Sequence, residues 1–137
     1  MALKREQILN ADDLKVEYVK VPEWAQGGED EVCIKMLTGT ERDKFEASMV
    51  RVNKAGKPEQ NLENLRARLI VLCAIDPDDN NLPLFTDDDI RSLGKKSAIA
   101  LDRVFTAAQK LNGFTEEDIE ELAEGFSSAP SESSTSA

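Results

Sequence analysis

Residues 61–112 read NLENLRARLIVLCAIDPDDNNLPLFTDDDIRSLGKKSAIALDRVFTAAQKLN, and this stretch decides the fold. At its start, Leu62, Leu65, Leu69 and Leu72 fall at three- and four-residue steps, with Cys73 beside the last. At its end, Leu101, Val104, Phe105, Ala108 and Leu111 repeat the spacing. Each set lines one face of a helix. Neither stripe is stable in water, so the simplest arrangement packs the two helices against each other. Between them lie an acidic turn, Asp76 to Asn81, and then Leu82, Leu84 and Phe85.

Working outward, the chain has 137 residues and a net charge of −10. That length suits one domain with a real core. The sequence divides into a domain over residues 1–126 and a Ser-rich tail, SSAPSESSTSA, over residues 127–137 that is predicted to be disordered. The apolar run around Leu69 to Ile75 is too short to cross a bilayer. Met1 to Asn10 carries early charges and no hydrophobic signal core. Cys33 and Cys73 stand far apart with no Cys-x-x-Cys pair, which predicts two reduced, largely buried thiols in a cytoplasmic protein.

The charge is uneven: net −2 through Gln60 and net −8 from Asn61 onward. An acidic second half argues against nucleic acid or an anionic membrane as the main partner. Part of the acidity has a local cause. Asp87 to Asp89 follow Thr86, and Glu116 to Asp118 follow Thr115. Both clusters read as first helical turns, where carboxylates meet the positive end of the helix dipole.

Toward the N-terminus, Lys4 to Asn10 predicts a short helix with Ile8 and Leu9 as its apolar contacts. Leu14 to Tyr18 alternates apolar and polar, and Val19-Lys20-Val21 continues one residue out of phase. That shift predicts a bulge or a strand covered on both faces. Pro22 ends the strand, and Gly27-Gly28 lies in a flexible connection. Glu31 to Leu37 is a second strand, and the two form an antiparallel hairpin. Thr40-Glu41-Arg42-Asp43 reads as the start of a helix that aligns Phe45, Met49 and Val52 and stops at Asn53 to Pro58. Gly94 closes a short helix opened by Thr86, Ser97 caps the long one, and Asn112-Gly113 ends it. Thr115 opens a last helix with Ile119, Leu122 and Phe126 inward. The expected fold is α+β, mainly helical: an N-terminal β-hairpin packed on a bundle of about four to five helices, followed by the disordered tail.

The chain has no histidine, which removes the usual general base and the commonest transition-metal ligand. No nucleophile elbow or phosphate-binding Gly-rich loop is present. No catalytic residue, cofactor site or metal site is therefore assigned, and the chain reads as no enzyme. Asp76 to Asn81, with Asp87 twelfth, resembles a calcium loop in its first, third and fifth places. Asn81 in place of the turn glycine, Leu84 at the ninth place and a short Asp at the twelfth favour a plain polar turn. Trp24 reads either as a lid over the edge of the core or as an aromatic anchor at an interface. The candidate partner-binding set is Trp24, Met36, Met49, Phe85 and Phe126.

Several segments in order resemble one family. Thr38-Gly39-Thr40-Glu41-Arg42-Asp43-Lys44-Phe45-Glu46 is similar to an LTG-ERD-FE segment of tail assembly chaperones from long-tailed (siphovirus-type) bacteriophages and prophages. Asn64 to Ala74 resembles the RARLVVLCA helix of that family. Leu84 to Asp87, Leu93 to Ser97, Ala100 to Arg103 and Leu111 to Gly113 continue the likeness, which runs from about Lys4 to about Gly125. The resemblance implies a non-catalytic assembly factor that binds the tape-measure protein and keeps it soluble. It implies help in recruiting tail-tube subunits, through a long form made by ribosomal frameshifting, and self-association. It places the protein in the host bacterial cytoplasm and outside the mature virion. Two other classes compete: an acidic decoy that mimics DNA, and a calcium-binding regulatory module. If the short form ends by slippage, Glu124-Gly125-Phe126 is expected to be encoded GAG-GGT-TTT, containing the heptamer G-GGT-TTT; reading the gene tests this, and other codons exclude the site.

Overall fold

The computed structural model describes residues 1–114, so the helix expected after Thr115, the candidate Phe126 and the Ser-rich tail lie outside the described residues. Helix α1 spans Arg5–Leu9 and strand β1 spans Val16–Lys20. A short 3-10 turn, Pro22–Trp24, leads toward β2, Glu31–Lys35. Then come α2 (Gly39–Ser48), β3 (Val50–Val52), β4 (Pro58–Gln60), α3 (Leu65–Cys73), β5 (Ala74–Asp76) and β6 (Leu82–Pro83). A 3-10 turn at Asp87–Asp89 runs into α4 (Ile90–Leu93), and α5 covers Ala98–Leu111. The architecture is α+β: a four-stranded antiparallel sheet, order β1-β2-β5-β6, with α3 and α5 against it and α2 and α4 packed on α3, and a separate β3-β4 ribbon.

The β1-β2 hairpin forms as expected, with Val16 opposite Lys35 and Lys20 opposite Glu31. It does not stand alone. The acidic stretch after α3 is itself a tight hairpin, in which Asp76 pairs with Leu82 and β5 docks on β2 through Cys33 and Ile75. Asn80 and Asn81 sit at φ +54° and +57°, a left-handed turn that asparagine tolerates. Two extra strands thereby solve the marginal stability of a lone ribbon.

Helix α3 differs from its one-face reading. Leu62 precedes the helix and is exposed, whereas Ala67, Leu69, Ile70, Val71 and Cys73 are all buried. Burial on several flanks marks a central helix: α3, open to solvent at Arg66, is packed between α2, α4, α5 and the sheet. Helix α5 keeps the predicted stripe, with Leu101, Val104, Phe105 and Ala108 buried, and its main helical partner is α3. Ser97 caps α5 by accepting from Ala100 N–H at 3.3 Å, and Gly113 takes φ +74° just past its end.

Helix α2 starts two residues earlier than expected. Thr38 is the N-cap, its Oγ1 accepting from Glu41 N–H at 3.1 Å while Glu41 Oε1 accepts from Thr38 N–H at 2.9 Å. This is the full Thr-x-x-Glu box. The helix also ends earlier. Ser48 Oγ donates to Phe45 O at 2.6 Å, and Val50 to Val52 become strand β3, so Val52 is exposed and never joins Phe45 and Met49. Asn53 Oδ1 accepts from Ala55 and Lys57 N–H, and Gly56 takes φ +78°, which turns the ribbon back. Helix α1 forms, but Ile8 and Leu9 are exposed, and among the described residues α1 packs on no other element to any extent.

Arg68 holds the ribbon to the body. Its guanidinium donates to Ser48 O (2.6 Å), Ser48 Oγ (2.7 Å), Asn61 O (2.7 Å) and Glu63 O (3.0 Å). Partial burial pulls its pKa down, without threatening its charge. The five-donor fork thus closes the end of α2 and the return from β4 at once. Arg68→Ala is expected to destabilise by about 1–3 kcal/mol, because part-buried carbonyls lose a charged donor. Arg68→Lys should restore less than half; urea denaturation of both variants checks this.

Candidate partner-binding surface

The five residues singled out from sequence do not form one site. Trp24 ends the first 3-10 turn and is half-buried against the core, beside Val21 and Val32. Its neighbours Glu29, Asp30 and Glu31 make an acidic rim to a cleft of about 250 Å³. Met36 lies at the far end of β2 from that cleft and is half-buried. Phe85 follows β6 and is half-buried against the core, outside the cleft beside Trp24. Met49 is 0 % exposed. It caps α2 from inside the core and presents nothing to a partner, which corrects its place in the candidate set. Phe126 lies outside the described residues.

Apolar surface is concentrated elsewhere. Met1, Leu3, Ile8 and Leu9 are exposed on the N-terminal arm, and Leu14, Val16 and Tyr18 are exposed on or just before β1. The pleat explains the second group. Val19 and Val21 turn inward to the helices, while Val16 and Tyr18 turn to the opposite face of the sheet. The phase shift at Tyr18-Val19 therefore marks no bulge. It marks a regular edge strand apolar on both faces, with its outer side chains exposed rather than covered. On the same outer face Cys33 and Ile75 lie next to Tyr18 and are buried outside the main core cluster. The Cys33 thiol beside it holds the Tyr18 hydroxyl above its ordinary pKa, and burial pushes Cys33 up in turn.

Other clefts are polar or small. An open cleft of about 800 Å³ is walled by Glu63, Asp87, Asp88, Arg91 and Lys95 around Asn64 and Gly94. Gly94 is not left-handed here; a Cβ on it would meet Asn64 Oδ1 at 2.4 Å, so close approach explains the glycine. A smaller cleft of about 220 Å³ has an apolar floor of Phe45, Leu72 and Ile90, bridged by Lys44 Nζ to Asp87 Oδ2 at 3.0 Å. Asp76 Oδ1 accepts from Asp78 N–H at 3.0 Å, as a turn requires. No three Cys, Asp or Glu side chains converge into a metal-holding group among the described residues.

Two polar ties fix the sheet to the helices behind this surface. Asn112 Oδ1 accepts from Leu37 N–H at 2.6 Å, and its Nδ2 donates to Ala108 O at 3.0 Å. Glu41, already part of the α2 cap, pairs with Lys35 of β2. Burial pushes the Glu41 carboxyl up, but the Lys35 ammonium and the Thr38 amide outweigh it and hold the group below its ordinary value of 4.5.

No protein-family model and no curated protein matches the sequence. Among solved structures, the chain is similar to the tail assembly chaperone of bacteriophage HK97, with a TM-score of 0.51 and 18% sequence identity over 81% of this chain and 95% of that one. The two proteins share a fold. The likeness agrees with the α+β architecture. Among the described residues no helix is long and apolar enough to cross a membrane.

Because Glu41 is depressed when folded, its contribution is present above the unfolded value and lost as pH falls through the folded one. Stability should therefore decline on acidification below about 4.5. In Glu41→Gln the decline over that window should be shallower, as chemical denaturation at a series of pH values would show.

Proposed function

We propose that this protein is a non-catalytic phage tail assembly chaperone. It binds the tape-measure protein, keeps that long apolar client soluble and helps recruit tail-tube subunits around it. The observation that supports this most is the shared fold with the HK97 chaperone over nearly the whole of that chain, joined to the resemblance of ordered segments from Lys4 to Gly125. It acts in the host bacterial cytoplasm and stays out of the finished virion. Recruitment of the tube protein belongs to a frameshifted long form.

The physical features suit such work. A client-holding protein needs apolar surface it can spare, and the arm and the outer face of β1 carry it without disturbing the core. Half-buried Trp24, Met36 and Phe85 add adaptable or aromatic contacts at the margins. A net charge of −10 keeps a loaded complex soluble. The DNA-mimic alternative would need carboxylates strung along one face. Here Asp87, Asp102, Glu59 and Glu23 are each matched to Lys44, Arg66, Arg51 and Arg103.

Co-expression tests the proposal. The tape-measure protein encoded beside this gene should move from the insoluble to the soluble fraction and co-purify with the chain. Trp24→Ala should reduce the co-purified client several-fold while far-UV circular dichroism is unchanged. An insoluble client that never co-purifies would remove this reading.

A further inference from the structure

We propose that β1 pairs with β1 of a second copy across a two-fold axis, joining two sheets into one, and that the N-terminal arm of each copy clasps the other. This deepens the self-association named above, yet it stands apart from the choice of client.

The hydrogen-bond phase of β1 sets the pairing. Val21 N–H donates to Asp30 O, and Lys15 O accepts from Met36 N–H. With the β1-β2 register, these bonds turn Lys15, Glu17, Val19 and Val21 toward β2. Val16, Tyr18 and Lys20 therefore aim their own N–H and C=O groups away, at an edge with no partner strand among the described residues. Edges of this kind are normally blunted by proline, charge or a bulge. This one carries two exposed apolar side chains and no proline, and its charges are Glu17, on the inner face, and Lys20 at its end.

Antiparallel pairing must match outward residues with outward residues. Residues 16, 18 and 20 are the outward set, and the register that pairs all three puts Tyr18 opposite Tyr18 of the second copy and Val16 opposite Lys20. The set is self-complementary, as a two-fold contact requires. Space for the second strand lies beside β1, where a cleft of about 390 Å³ is walled by Thr106, Ala107 and Lys110 of α5. In the stated register Glu17 of the second copy falls opposite Val19, on the inner face, and enters the cleft that holds Lys110.

The same register places Leu14 opposite Pro22 of the second copy. The arm then runs on toward that copy's Trp24 cleft. Residues 10–13 span roughly 13 Å when extended, enough to carry α1 there. The match is chemical as well: Lys4, Arg5, Ile8 and Leu9 meet a cleft floored by Val21, Trp24 and Val32 and rimmed by Glu29, Asp30 and Glu31. Growth stops at two copies. At the opposite edge β6 turns Pro83 outward, because Leu84 N–H and Leu82 point toward β5, and proline has no donor.

Sedimentation velocity of the full chain over a concentration series tests this. The expected result is a reversible dimer, twice the 15.1 kDa chain mass. Tyr18→Pro leaves the β1-β2 ladder its donors and should give a monomer with unchanged circular dichroism. Tyr18→Glu, free of any proline strain, sets like charges face to face on the axis and should do the same. Lys4→Glu with Arg5→Glu should raise the dissociation constant on the order of tenfold at low salt, less at high salt. A monomer at every concentration, a dimer that survives Tyr18→Glu, or an unliganded assembly larger than two would each overturn the proposal. Loss of client solubility with an intact dimer would strike the proposed function and leave this pairing standing.

Discussion

Helix α3 is enclosed except along the flank that carries Arg66, and the rest of the chain follows from enclosing it. Leu69, Ile70 and Cys73 are fully buried, and the leucine and isoleucine each stabilise by about 1.5–3 kcal/mol when removed from water. One layer alone can cover only one flank of a helix. Sheet β1-β2-β5-β6 covers one, α5 a second, and α2 with α4 the remainder. The short strand β5 begins on the residue after α3 ends, so the helix hands its own continuation to the sheet that covers it.

Polar side chains then lock the layers in register where apolar packing has no direction. Arg68 joins the end of α2 to the loop before α3, Asn112 joins the end of α5 to the residue before the α2 cap, and Glu41 joins α2 to β2. Each sits at a junction between elements. Hydrogen bonds there specify which neighbour is met, while the apolar contacts supply most of the stability. Phe45 and Phe114 complete the closure, their rings edge to face with centroids 5.8 Å apart and Arg42 stacked 4.1 Å over Phe114.

Local signals in the sequence carried most of the elements. The α5 stripe, the Ser97 cap, the Asn112-Gly113 stop and the first hairpin all lie within short windows and emerged where expected. What escaped was set by distant contacts. Val50 to Val52 look like the end of a helix until Pro58 to Gln60 arrive to pair with them. Ala74 to Pro83 look like a turn until β2 offers an edge. Met49 was misplaced because periodicity locates a face and cannot say how deep that face lies. The exposed apolar surface rests on Tyr18 and Val16, whose mixed phase was visible but left open a bulge or a strand covered on both faces.

Cys73 sits at the last turn of α3, with burial raising its thiol to about 12. At neutral pH almost no thiolate exists there, and no reagent reaches the sulfur while the helix keeps its seat. Alkylation of that sulfur consequently waits on the helix leaving its neighbours, so the native chain contains its own probe of how often the core opens.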